Sequence, residues 1–157
     1  SKGGDTMWSS MTAAYESLSL SMKNFLKDLT AEHDFCHGFK ESIAEPGGRE
    51  RLKDAITNNP PVVHPVIRTH PITRRKAIFV NPLFTTKINE LSKSESDALL
   101  EFLYSYSITP EFTCRFSWTP NSIAIWDNRC TLHKPINDYF PEHRLLERIT
   151  VDGDEPF

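Results

Sequence analysis

The sequence predicts a mainly β domain with flanking helices, a sandwich or barrel, and three observations carry that prediction. The last fifty residues read as short strands separated by tight turns. Helical periodicity is confined to two stretches, near residues 11–29 and 92–106. No internal repeat and no long apolar run points to a solenoid or a membrane span.

Taken in order, Met11, Ala14, Tyr15, Leu18, Met22, Phe25, Leu26 and Leu29 recur every three or four residues, the stripe of a helix packed on a core. Serines at 17, 19 and 21 are poor helix interiors, so two short helices with a joint near Leu18–Ser21 are expected. Residues 36–62 are rich in breakers and charges, which predicts a flexible lid or loop with one short helix at Glu50–Thr57. Val66–Thr69 and Ala77–Val80 are β-rich runs around a turn. Ser92-Lys93-Ser94-Glu95 has capping-box spacing and opens a helix expected to bury Ala98, Leu99, Phe102 and Leu103. Phe112, Cys114, Phe116 and Trp118 then alternate with polar residues as in a half-buried strand. After Pro120-Asn121 come two more expected strands, Ser122–Trp126 and Arg144–Asp152.

Bulk composition excludes several classes. With 157 residues, 38% hydrophobic and 25% charged, the chain is an ordinary globular domain with enough length for a core. A net charge of −3 without a Lys/Arg run argues against nucleic acid, and no membrane segment or signal peptide is legible. Three scattered cysteines, with no CxxC pair, fit a reducing compartment, so a cytoplasmic location is expected. The dense string opening at Gly3 predicts a piece of a longer protein.

If Arg144–Asp152 is a strand, Arg144 and Arg148 share one face, roughly 13 Å apart. Two guanidiniums on one face suit a ligand or ligand pair with two anionic ends, although the same pattern fits a solvated surface. His133 stands alone. A lone histidine is more often structural than ligating, and none of the six histidines forms an H-x-x-x-H or H-E-x-x-H pair. No nucleophile elbow, phosphate loop or dinucleotide fingerprint occurs.

Five ordered strings go further. Gly3–Trp8 resembles GGDTLW, and Thr30–Phe35 contains AEHDF. Asn59–Pro71 resembles NPPLLHPVVRTHP, Phe79–Thr86 matches FVNxxFTT, and Ala124–His133 matches AIWDNRxTxH. By these strings the chain resembles the taurine dioxygenase, or TauD/TfdA, family of Fe(II)- and 2-oxoglutarate-dependent dioxygenases along essentially its whole length. The resemblance implies a double-stranded β-helix (jelly roll, cupin-like), incomplete at the N-terminus, with residues 1–157 as the C-terminal part of a single dioxygenase domain.

It further implies that His133 is an iron ligand of a 2-His-1-carboxylate triad, and so a catalytic residue. Thr6 and Arg144 would hold 2-oxoglutarate, Arg148 the substrate anion, and Phe39 and Phe84 the substrate pocket. O2 and 2-oxoglutarate would yield succinate and CO2 while a small organosulfonate such as taurine is hydroxylated and loses sulfite.

Two departures qualify this. The family's H-x-D metal pair would precede GGDT, and no H-x-D or H-x-E occurs in the chain. Glu147 stands where the taurine enzyme has histidine, at a pocket rim or subunit contact, which leaves a homo-oligomer open. The alternatives are a non-catalytic remnant binding an anion or partner, and a dioxygenase for a sulfate ester or aryloxyalkanoate.

Overall fold

The computed structural model describes residues 3–157. Strand β1 (Thr6–Ser10) runs straight into helix α1 (Met11–Ser17), with the Ser10 hydroxyl accepting the Ala13 N–H as N-cap. Ser19 caps α2 (Leu20–Leu26) in the same way, so the joint falls where the serines place it. Met11, Ala14, Leu18, Leu26 and Leu29 are buried, whereas Phe25 from the expected stripe is exposed.

Three small antiparallel sheets follow. β7 (Thr113–Phe116) and β8 (Thr131–Pro135) flank β1. β2 (Thr30–His33) lies between β3 (Val62–Pro65) and β6 (Thr85–Ile88). β4 (Ile67–Thr69) pairs with β5 (Lys76–Ile78) across the expected turn. The core is shared by α1, β4, β5, β6 and the long helix α7 (Lys93–Ser107).

The predicted balance of elements needs correcting. Helical residues outnumber strand residues, and the fold is mixed helix and sheet rather than mainly β. Neither Ser122–Trp126 nor Arg144–Asp152 forms a strand. Both have the alternating pattern, but a strand also needs a hydrogen-bonded neighbour, and none of the described residues supplies one. Their apolar side chains stand in solvent instead, Ile125 at 94% and Ile149 at 93% exposure. β7 is likewise less covered than expected, with Cys114 and Phe116 exposed.

Residues 36–62 contain more helix than expected. Four short helices, α3 (Phe35–Gly38), α4 (Lys40–Ala44), α5 (Gly48–Arg51) and α6 (Lys53–Asn58), replace a loop with one helix, and Leu52 breaks the expected Glu50–Thr57 segment in two.

α7 has the expected capping box, with Ser92 N–H donating to Glu95 Oε2 at 2.9 Å, but its phase is rotated. The buried residues are Ser96, Leu99, Leu100, Leu103 and Ser107, while Ala98 and Phe102 are exposed. The cause is polar. Ser96 Oγ accepts the buried Ile88 N–H at 2.8 Å, and Ser9 Oγ donates to the Ser107 carbonyl. Satisfying the Ile88 N–H turns Ser96 inward, to a face that hydrophobicity alone misplaces, while the Ser107 hydroxyl is buried without a partner.

Candidate active site

The site begins with β1. Register places Trp8 opposite both Cys114 and His133, and Thr6 opposite Phe116 and Pro135. Side chains two apart share a face, so Thr6, Trp8 and His133 lie on the same side of this sheet. Thr6 and His133 are diagonal cross-strand neighbours, about 7–8 Å apart.

Thr6 is buried and heavily used. Its Oγ1 accepts from Trp118 Nε1 at 2.9 Å and from Arg144 Nη2 at 3.3 Å. Two accepted bonds leave the hydroxyl hydrogen free to donate to a ligand. Arg144 also donates from Nε to the Gly4 carbonyl at 2.7 Å, with its guanidinium 5.9 Å from the Tyr139 ring. The outer N–H groups of the fork stay free to meet a carboxylate. That donor set, one hydroxyl and a pre-aimed guanidinium edge, fits a carboxylate end of 2-oxoglutarate.

His133 packs at a tilt against Trp126 at 5.1 Å, and Trp126 packs on Trp8 at 5.3 Å. Burial, and second the charge of Arg148, hold the His133 imidazole below its ordinary pKa. The neutral form is the one that ligates a metal. Arg144 reaches Thr6 although the segment carrying it is not a strand, and Arg148 on the same segment is exposed. His133 fits one coordination position for iron. Among the described residues, no group of three metal-ligating side chains includes His133.

The described residues do bring His70, Asp127 and Cys130 together, their donor atoms within 4.8 Å of one another. Hydrogen bonding argues against a metal there. His70 Nδ1 accepts from the backbone N–H groups of Ile72 and Thr73, so the ring proton sits on Nε2 and points at Asp127 Oδ2, 3.0 Å away. Both Asp127 oxygens also accept from Arg129, at 2.8–3.2 Å, which holds this carboxyl far below the usual range. A carboxylate already gripped by a guanidinium has little left for a cation. This network, extended through Asp154 to Arg129 and Arg68, instead fixes the loop leading into β8.

Phe39, between α3 and α4, and Phe84, just before β6, have their rings 6.2 Å apart, with Phe35 stacked on Phe39 at 4.4 Å. Asp34 N–H donates to the Phe84 carbonyl at 2.9 Å and ties the two segments. A Cβ on Gly38 would lie 2.7 Å from the Leu83 carbonyl, so only glycine allows this approach. Sequence reasoning missed the residues supporting these sites: Asp5, Arg115 and Asp138 beside Arg144, and His70, Asp127 and Arg129 before His133. The one available signal was that most lie inside or next to the dense strings.

Comparison with known proteins decides the family. The family described as taurine catabolism dioxygenase TauD, TfdA family matches residues 1–150. The chain belongs to the TauD/TfdA family. A Schizosaccharomyces pombe relative, provisionally named an alpha-ketoglutarate-dependent sulfonate dioxygenase, is 39% identical over 99% of this chain and 39% of its own length. An alkylsulfatase of Acinetobacter baylyi is 36% identical over 97% of this chain and 49% of its own. Among solved TauD/TfdA structures, a taurine dioxygenase from Burkholderia xenovorans superposes with a TM-score of 0.72 at 35% identity, covering 88% of this chain and 42% of that one. AAD-2, solved with Mn(II) and N-oxalylglycine, gives 0.77 at 29%, covering 98% and 59%. The chain thus spans about two fifths to a half of the curated relatives named here.

Proposed function

We propose that residues 1–157 are the C-terminal portion of an Fe(II)- and 2-oxoglutarate-dependent dioxygenase, with a double-stranded β-helix as its complete core. Its substrate is a small organosulfonate or sulfate ester, taurine being the reference sulfonate. The observation that carries this reading is the Arg144 guanidinium held by Gly4 and Thr6, with Thr6 on the sheet face that carries His133. Thr6 and Arg144 bind one carboxylate of 2-oxoglutarate. Arg148 binds the sulfur-oxyanion end of the substrate, since a guanidinium keeps its charge wherever sulfonate and sulfate keep theirs. Phe39 and Phe84 line the apolar part of the substrate site, and α3–α6 form its lid.

His133 supplies one iron ligand, and its neutral imidazole suits that role. Iron, when bound, supplies O2 activation coupled to loss of CO2 from 2-oxoglutarate. The residues of this chain bind and orient the two anions and shield them from water. Free cysteines at 36, 114 and 130 suit a cytoplasmic enzyme. The sulfate-ester reading gains support from the alkylsulfatase and from a Pseudomonas putida sulfate ester dioxygenase, 31% identical over 98% of this chain.

The test uses the full-length protein and a panel of taurine, a short alkyl sulfate and an aryloxyacetate. Arg148→Ala should raise the KM of the sulfur oxyanion at least tenfold and leave that of 2-oxoglutarate within threefold. Arg144→Ala should do the reverse. Equal losses for both co-substrates in both variants would contradict the division of labour. No turnover by the wild type with any panel member would favour a non-catalytic binding protein.

A further inference from the structure

Arg144 donates to the Gly4 carbonyl, and Gly4 is held in turn by an ion-pair network of its own. Asp138 Oδ1 accepts the Gly4 N–H at 2.8 Å, and Asp138 Oδ2 accepts from Arg115 Nη2 at 3.1 Å. Arg115 Nε donates to Asp5 Oδ2 at 2.5 Å, and the Asp5 carbonyl accepts the Ile136 N–H at 2.9 Å. Asp138 and Asp5, from segments 133 positions apart, therefore grip one guanidinium.

The backbone is built for this closure. Gly3 and Gly4 both have positive φ, 79° and 75°, which L side chains rarely adopt. A Cβ on Gly3 would lie 2.5 Å from the Asp138 carbonyl oxygen, and one on Gly4 would lie 2.9 Å from Arg144 Cδ. Gly4 is thus held by Asp138 at the N–H of the peptide before it and by Arg144 at the carbonyl of the peptide after it. A bidentate grip depends on the plane of the fork, so a small rotation of that peptide would misdirect it.

We propose that Asp138 and Arg115 are positioning residues for 2-oxoglutarate: their ion pair fixes the Gly3-Gly4 turn, and through the Gly4 carbonyl it fixes the Arg144 guanidinium. This rests on Arg144 being the 2-oxoglutarate ligand, and the experiment separates the two claims.

Full-length protein is loaded with Mn(II), and N-oxalylglycine is titrated calorimetrically into wild type, Arg144→Ala, Asp138→Ala, Asp138→Asn, Arg115→Gln and the double variant Arg144→Ala/Asp138→Ala. Mn(II) affinity is measured alongside. Asp138→Ala should weaken N-oxalylglycine about tenfold with Mn(II) affinity unchanged within twofold. Asp138→Asn, which keeps an acceptor for Gly4 N–H, should recover most of that loss. The double variant should bind no worse than Arg144→Ala, because the effect of Asp138 passes through Arg144.

Additive losses in the double variant, or wild-type affinity in Asp138→Ala, would overturn the positioning role. Normal affinity in Arg144→Ala would instead overturn the assignment of Arg144 itself. Should Asp138→Ala fail to fold, Arg115→Gln at an exposed position takes its place, with a three- to tenfold loss expected that vanishes on an Arg144→Ala background.

Discussion

His33 shows how a single residue can set a pH limit. It is 8% exposed on β2, its rings packing against His64 at 5.4 Å and Phe79 at 5.9 Å. Its Nδ1 lies 3.3 Å from Thr85 Oγ1, and its Nε2 is buried without a partner. Burial, then the neighbouring His64, push its pKa from 6.5 down to about 4. The unfolded chain therefore binds more protons between pH 6.5 and 4, and stability falls as pH drops through that window. The loss at pH 4 is of order 1–3 kcal/mol. His33→Phe should flatten this slope, so that its melting temperature relative to wild type is higher at pH 5 than at pH 7.5. Parallel melting curves at both pH values would remove His33 as the cause. None of this was legible beforehand, because AEHDF reads as a family string without revealing which of its side chains is buried.

At the scale of elements, the sequence was readable where the signal was local. The capping box at Ser92–Glu95 and the serine joint between α1 and α2 both lie where the residues place them, since caps depend on neighbours within a turn. Ser92→Ala should cost about 1 kcal/mol in urea denaturation, with an unchanged m-value, by removing a hydroxyl that bonds Glu95 at 2.6 Å. A change under about 0.3 kcal/mol would mean that tertiary packing alone holds the start of α7. The phase of α7 was not readable in this way. Ser96 faces inward to accept the Ile88 N–H on β6, and a reading based on apolar residues assigns serines to solvent. Residues 122–126 and 144–152 failed for a related reason. Alternation marks a strand's faces, but pairing makes the strand, and pairing is a property of two segments.

Across the whole molecule, charge joins what the chain separates. Arg68 is 4% exposed and pairs with Asp154 at 3.2 Å, while Asp154 also meets Arg129 at 3.4 Å, and Arg129 holds Asp127 beside His70. The Phe157 carbonyl accepts the Thr69 N–H at 2.7 Å, so the last residues lie along β4. Asp154→Ala should lower the denaturant midpoint, because it leaves the buried Arg68 guanidinium without its carboxylate. Asp154→Asn should recover part of this through its remaining oxygen. Denaturant midpoints equal to wild type for both variants would show that water replaces the carboxylate at no cost.

The sequence by itself determined the family and the residue types at the site. Those depend on ordered strings and on chemistry that a residue carries wherever it sits: a guanidinium for an anion, an imidazole for a metal. Only the tertiary structure decided how Arg144 is aimed and which charged residues stand behind it. Arg144 and Gly4 are 140 positions apart, and Arg115 and Asp5 are 110. Hydrogen bonds across such separations follow from sheet register and two left-handed glycines, which no local pattern of side chains encodes.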